Sequence, residues 1–407
     1  MNYFSQFKGL PKQVYLLGIL RLFVGIGSMC FSFASLVMTS ILGLSSEAAS
    51  LVVMAQGFFN ALGATVGGRM ADTWGRRRTY LLFAGLAFLL FVICGLSCHS
   101  LWMIPFLILA SFSSNACGPS ISALVADFAD EEHRVECFSF LYLCVNLGFA
   151  IGPSIGGMLF YDHLSLTYML QGFVLFVVGV ILFFCVKETY DPSSAVRKTA
   201  DSVGPSRGSG LKMLLKCHYL LIFIGLLCFV TICYAMTNFM LPLQMNDYFG
   251  LEVSAKYAGR IWTVNGLVIV VFTPMLVSFV KRNHHYINSI IACVLYAVGF
   301  GMYAFVKESW LFFAAAVIWS IGEILISTGA GSFIASQSPP SHVGRFQSYY
   351  EIARYIGRAI APPLCALVMG YAGYSGTWIL NVLICVLSAA IFTVSYFSGR
   401  KTGRIRA

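Results

Sequence analysis

Glu323 is the residue best placed to do chemistry in this 407-residue chain. It stands in Ala316-Val317-Ile318-Trp319-Ser320-Ile321-Gly322-Glu323-Ile324-Leu325, about halfway along an apolar run. A carboxyl group held away from water favours its neutral form, so an acid there can titrate near neutral pH and trade its proton for a cargo. The competing reading is a permanently neutral acid or a structural ion pair. Four arginines are embedded in similar runs: Arg21, Arg260, Arg354 and Arg358. Each is always charged and demands acceptors. Glu351, Arg354 and Arg358 fall at i, i+3 and i+7, one helical face, which predicts a local Glu351–Arg354 ion pair and leaves Arg358 for an anionic group or for Glu323. Arg260 is expected at an outer surface.

The elements that hold these residues must be membrane helices. Hydrophobic residues make up 58% of the chain and charged residues only 10%, and the mean hydropathy is +0.82; this excludes a water-soluble globule. About 20 apolar residues cross the ~30 Å hydrocarbon layer. Twelve runs of that kind are predicted, near 13–44, 47–71, 79–98, 101–126, 136–161, 166–187, 217–246, 254–280, 285–306, 310–336, 346–372 and 375–398. The first outlasts a signal-peptide core and has no small-residue cleavage site, so no processing is expected.

Charge placement supports the count. With both termini cytoplasmic, every Lys and Arg outside the four embedded arginines, Lys256 and Lys307 falls on a cytoplasmic segment, the bias that orients membrane proteins. The net charge of +10 is thus an orientation signal helped by anionic lipid, and nucleic acid is not an expected partner. Between residues 188 and 216 the apolar pattern stops; Asp191-Pro192-Ser193-Ser194 and the glycine-rich stretch from Gly204 to Gly210 read as a polar cytoplasmic linker. Bundles of six helices, 1–187 and 217–407, flank it. A repeat agrees with this division. Gly148, Gly152, Pro153, Gly156 and Gly157 in the fifth run recur 209 residues later as Gly357, Ala361, Pro362, Cys365 and Ala366 in the eleventh.

One polar stretch between the second and third runs carries a resemblance. Gly68, Asp72, Gly75, Arg76 and Arg77 form G-x-x-x-D-x-x-G-R-R, which resembles the loop between helices 2 and 3 of the major facilitator superfamily of twelve-helix secondary transporters. Thr73 departs, standing where Lys or Arg is usual. The resemblance implies two pseudo-symmetric six-helix bundles with a substrate site between them near the midplane. It implies that Gly68, Asp72, Gly75 and Arg76 belong to a conformational latch, with Asp72 at the dipole of a helix start and Arg76 paired with Asp127. For Arg77 and Arg78, topology alone is the favoured reading, and Asp130, Glu131, Glu132 and Arg134 read as a solvated loop. The second-half counterpart, Ser278 to Arg282, offers no acid.

Two more elements point to a branch. The fifth-run pattern matches the G-x-x-x-G-P-x-x-G-G signature of antiporters in this superfamily; tight helix packing is the other reading. Trp319 to Leu325 is similar to a G-E-I element in helix 10 of drug-exporting members, implying an embedded acid used in proton coupling or cation binding. Against this, Ala110 to Asn115 in the fourth run offers only neutral groups where drug and proton exchangers commonly carry an arginine. Because helices 1, 4, 7 and 10 line the cavity in the family, Arg21 has two readings. It faces the same space as Glu323, or its head snorkels toward the interface about 13 Å away.

The neutral cavity candidates are Gln56, Asn60, Asn115, Tyr142, Asn146, Tyr234, Asn238 and Asn265. Aromatic residues at 15% with a lone acid suit amphiphilic cations through ion pairing and cation–π contact. Proton-coupled export of such small molecules is the leading expectation. A symporter or facilitator for a sugar, peptide or organic anion is the alternative, and a non-transporting receptor or scaffold is the alternative of another class. No cofactor, metal or enzymatic constellation is expected, and the thirteen cysteines read as small core residues. The absence of an N-x-S/T sequon leans toward a bacterial inner membrane, and a monomer is expected.

Overall fold

The structure, a computed structural model, describes residues 7–30, 32–130, 133–189, 218–338 and 343–401. Among them there is no strand. The helices are α1 (Lys12–Gly27), α2 (Ser46–Thr73), α3 (Arg76–Leu96), α4 (Met103–Phe128), α5 (Arg134–Leu159), α6 (Leu164–Cys185), α7 (His218–Phe249), α8 (Leu251–Arg282), α9 (His285–Met302) and α10 (Ser309–Ser327). The last helix, Val343–Lys401, is broken by Gly373 (φ 63°) into α11 (343–372) and α12 (374–401). Twelve elements thus match the twelve predicted runs, all of them helical. The linker read at 188–216 falls, beyond Thr189, outside the described residues.

Two runs depart from the single spans expected. The first, read as 13–44, gives a 16-residue α1, a single turn at Ala34–Leu36 and a π-helical turn at Val37–Ile41. Gly25, Gly27 and Ser28 weaken the helix here, and the Ser28 hydroxyl donates back to the Val24 carbonyl at 3.2 Å, a competition that bends helices. The backbone N–H of Cys30 then donates to Gln171 of α6 at 2.9 Å, which satisfies a group that a break inside the bilayer would otherwise orphan. The tenth run, read as 310–336, stops at Ser327 and resumes as Ala330–Gln337. Gly329 packs there against the His285 ring, where a side chain would collide.

The described residues divide into two compact units. The first lies within Met1–Val203 and Met245–Gly266, the second within Gly204–Gln244 and Leu267–Ala407. In the first, α1 packs along α5, α2 along α4, and α3 against α4 and α6. In the second, α9 packs against α10 and against the helix 343–401.

Small residues set the close approaches. Side chains at Gly148 or Gly152 would run into the α1 backbone at Leu22 and Ile26, and one at Gly156 into the backbone of Met29 just past α1. On the other side, Gly157 meets the Ala255 carbonyl and Gly259 meets Pro153, while Ser154 and Thr263 share a hydroxyl hydrogen bond of 2.7 Å. The start of α8 therefore joins the first unit. In the second unit Gly357 of α11 lies against Cys228 and Thr231 of α7. The repeat thus places α5 on α1 in one unit and α11 on α7 in the other. This is packing of the small-residue kind.

Candidate functional site

Three constellations carry the polar chemistry, and each lies inside one unit. The first is the turn between α2 and α3. Trp74 closes α2 and Gly75 (φ +118°) makes the reversal. The N-terminus of α3 is exposed to a negative charge, but that charge is not Asp72, which is exposed and has no hydrogen bond or ion pair among the described residues. Glu188, just past α6, takes the position. Its carboxylate accepts the backbone N–H groups of Arg76 at 2.8 Å, Arg77 at 3.1 Å and Arg78 at 3.3 Å, the arrangement a helix dipole favours.

Arg77 answers in the opposite direction. Its Nη1 donates to the carbonyls of Phe183 (3.1 Å) and Val186 (3.3 Å), and its guanidinium lies 5.1 Å from the Phe183 ring centroid. It therefore caps the C-terminal end of α6, a packing role that topology alone did not predict. Arg76 is buried, with Nε 3.0 Å from Asp127 Oδ2 and Nη1 donating to the Ala71 carbonyl at 3.3 Å. The Arg76–Asp127 pair expected from sequence is formed. Thr189 also donates to Asp127. Gly68 lies against Pro119. Sequence reasoning missed Glu188 and Arg77 as partners because they are more than 100 residues apart; the only available sign was an acid directly after the sixth run.

The second constellation joins α2 to α4 in the first unit. Gln56 donates to Ser111 at 3.3 Å, and Asn115 donates to Asn60 at 2.7 Å and to the Ser111 carbonyl at 3.0 Å. Asn146 turns instead to the Tyr142 carbonyl of its own helix at 2.7 Å, and Tyr142 is exposed. Asn265, in α8, is buried. Arg21 reaches from α1 toward α4: a Cβ on Gly118 would lie 3.9 Å from its Nη1. Its head therefore points into this unit.

The third lies in the second unit around Glu323. The residue is half-buried and sits one turn before the break after Ser327, not mid-helix, because α10 is shorter than its run. Trp319, one turn earlier, is fully buried and donates to the Tyr303 hydroxyl at 3.0 Å. Gly322 brings the α10 backbone against Tyr296 of α9, whose ring carbon would be 2.8 Å from an added Cβ. Tyr296 feels the Glu323 carboxyl electrostatically. Tyr234 of α7 completes the wall, with ring centroids 5.7 Å from Trp319 and 6.4 Å from Tyr296. Neither Trp319 nor Tyr296 was singled out from sequence, where aromatic residues are too common to rank.

The remaining charges sort simply. Glu351 and Arg354 form the expected pair at 3.0 Å, and Arg354 also lies over Tyr350. Arg358 is exposed and in reach of Tyr234; no ion pair joins it to Glu323 among the described residues. Arg260, near the start of α8, is exposed. The Asn238 side-chain carbonyl is buried without a partner. No group of His, Cys, Asp and Glu able to hold a metal occurs among the described residues.

Comparison with known proteins fits this geometry. The family model described as Major Facilitator Superfamily matches residues 17–291 and 289–405. A Na(+), Li(+), K(+)/H(+) antiporter of Planococcus maritimus is 24% identical over 374 residues, covering 85% of this chain and 86% of that protein. The multi-drug resistance efflux pump PmrA of Streptococcus pneumoniae is 23% identical over 379 residues, covering 86% of each. Among solved structures, a POT family transporter bound to a thioalcohol-conjugated peptide aligns with TM-score 0.78 at 15% identity over 97% of both chains. A D-xylose-proton symporter gives 0.71 at 14% identity over 93% of this chain and 96% of its own. At such identities the structures speak for the fold alone. The sequence match across nearly the whole chain, on twelve helical elements with the expected Arg76–Asp127 contact, makes this protein a multi-pass membrane transporter of the Major Facilitator Superfamily.

Proposed function

We propose that the protein exports amphiphilic small molecules in exchange for protons, by alternating access of two six-helix halves, 1–187 and 217–407. The observation that carries this is Glu323: a half-buried carboxyl beside Trp319, Tyr296 and Tyr234, one turn before a break in its helix. An ionisable group at membrane depth marks a functional site, and broken helices accompany binding sites in transporters. The aromatic faces suit a cationic or apolar group, and the carboxyl alternates between that group and a proton. Gly68, Gly75, Arg76 and Asp127, with Glu188 in the place expected of Asp72, act as the cytoplasmic latch. Gly148, Gly152 and Gly156 hold α5 on the first-helix segment while the halves move, and Pro153 and Gly157 are where α5 meets the start of α8. The setting is the bacterial inner membrane, with both termini cytoplasmic and a monomer as the working unit.

The test is substrate-induced proton movement in proteoliposomes, with ethidium as the probe, comparing the native protein with Glu323→Gln. The variant is expected to lose coupled proton movement. Equal pH-dependent flux from both proteins removes Glu323 from the mechanism. A second reading draws on the Planococcus relative, named for alkali cation/proton antiport: the same carboxyl would trade H⁺ for Na⁺ or Li⁺, and proton movement driven by those ions without ethidium would favour it. Uptake rather than efflux in oriented vesicles under an imposed pH gradient would favour the sugar, peptide or organic-anion symporter.

A further inference from the structure

The seam between α2 and α4 holds amide groups that are only half used. Gln56 and Asn60 stand one turn apart in the middle of α2, and Ser111 and Asn115 one turn apart in the middle of α4. Gly63 and Gly67 press the two helices together, since a side chain at either would strike the Phe112 or the Ala116 carbonyl. The Ser111 carbonyl can only accept, so Asn115 must present its NH2 there, at 3.0 Å, and the second hydrogen goes to the Asn60 oxygen at 2.7 Å. This fixes the orientation of both amides. The Asn115 carbonyl and the Asn60 NH2 are left over, and Gln56 spends only one end, on Ser111 at 3.3 Å.

These leftover groups are open to a solute. Asn115 is exposed, Asn60 and Gln56 are half-buried, and none of the spare amide atoms is sealed in. Elsewhere in the same unit the unpartnered groups are enclosed by protein, among them the hydroxyls of Thr79, Tyr80 and Ser120 and one carboxylate oxygen of Glu136. Unmet amides in the middle of a membrane helix are costly against lipid tails. The Arg21 guanidinium, close to Gly118 and so one turn along α4 from Asn115, would be costlier there still. The face of α4 from Ser111 to Gly118 therefore borders water. We propose that Asn60, Asn115 and Gln56 form a recognition site for an uncharged hydrogen-bonding group of the transported solute, an amine, amide or hydroxyl that donates to the Asn115 carbonyl or accepts from the Asn60 NH2. This rests on the exporter reading and adds a neutral polar group to the chemistry of its substrates.

The test is equilibrium dialysis of the full-length protein in detergent against two probes. They are ethidium and 5-ethyl-6-phenylphenanthridinium, the same cation without its two amino groups. The readout is the ratio of their affinities. Asn115→Leu is expected to lower the preference for ethidium about three- to tenfold, the worth of one hydrogen bond, and Asn115→Gln to restore part of it. Gln56→Met, which gives up only a long contact, is expected to lower it less and serves if Asn115→Leu does not fold. Melting temperatures are taken on the same samples. A clamp with a purely structural role predicts a lower melting temperature with an unchanged ratio, and that result overturns the proposal. So does a native protein that binds neither probe. Proton movement driven by ethidium in proteoliposomes is measured alongside: its absence in the native protein would overturn the exporter reading, while its presence with an unchanged affinity ratio in Asn115→Leu would overturn only the amide site.

Discussion

Glu188 accepts three successive backbone N–H groups at the start of α3, so it replaces the water those donors would otherwise require. Removing the carboxylate leaves them poorly met, at a cost of about 1–2 kcal/mol from charged hydrogen bonds and the helix dipole. Glu188→Ala is therefore expected to lower the melting temperature of the purified protein, while Asp72→Asn, at an exposed side chain, leaves it within error. A fall of equal size in both would mean that Glu188 does no more than an ordinary surface acid. A second residue, His284, ties stability to pH. It lies just before α9, where its ring accepts from the Tyr286 N–H at 3.3 Å and packs against Tyr286, Phe333 and Tyr396. Burial, then His285 and Arg400 nearby, push its pKa below the ordinary 6.5. The folded protein thus resists a proton that the unfolded chain takes up. The stability it contributes is complete above pH 6.5 and is lost as pH falls through the depressed folded value. Melting curves across pH 5 to 8 should show this slope in the native protein and a shallower one in His284→Asn, which keeps a capping acceptor without titrating.

At the scale of helices, glycines in the same unit play opposite parts. Gly148 and Gly152 lie where a Cβ would strike the α1 backbone, whereas Gly85 of α3 has nothing within 4 Å. Gly148→Ala must push α5 and α1 apart and is expected to cost about 1–3 kcal/mol, the usual range for overpacking. Gly85→Ala meets open space and should be neutral or stabilising by up to about 1 kcal/mol through reduced chain entropy. Thermal melts of the two variants in one detergent check the contrast; similar effects would show that the α1–α5 seam is slack. The same seam decides how the antiporter-like motif is understood. Its contacts explain the small residues by packing, so its bearing on the direction of transport has to be measured as flux.

For the molecule as a whole, the charge pattern makes a topological prediction. Alkaline phosphatase fused after residue 401 should be inactive and a fluorescent protein at the same point bright, because the Lys and Arg bias predicts a cytoplasmic location for that end. The reverse result would invert the assignment of the latch to the cytoplasmic face.

What the sequence determined by itself was the class, the number of helical elements and their approximate limits. Hydropathy and charge are summed over some twenty residues at a time, so single-residue details do not disturb them. The Arg76–Asp127 contact was legible only through a recurring motif. Tertiary structure alone decided where α1 and α10 break, since a break at membrane depth depends on a distant group such as Gln171 to satisfy the freed N–H. It alone chose Glu188 over Asp72 for the helix start, turned Arg77 into a cap, and packed Tyr296 against Gly322, next to Glu323. These choices join residues far apart in the chain. The free energy of such a contact belongs to the pair and is written in neither local stretch.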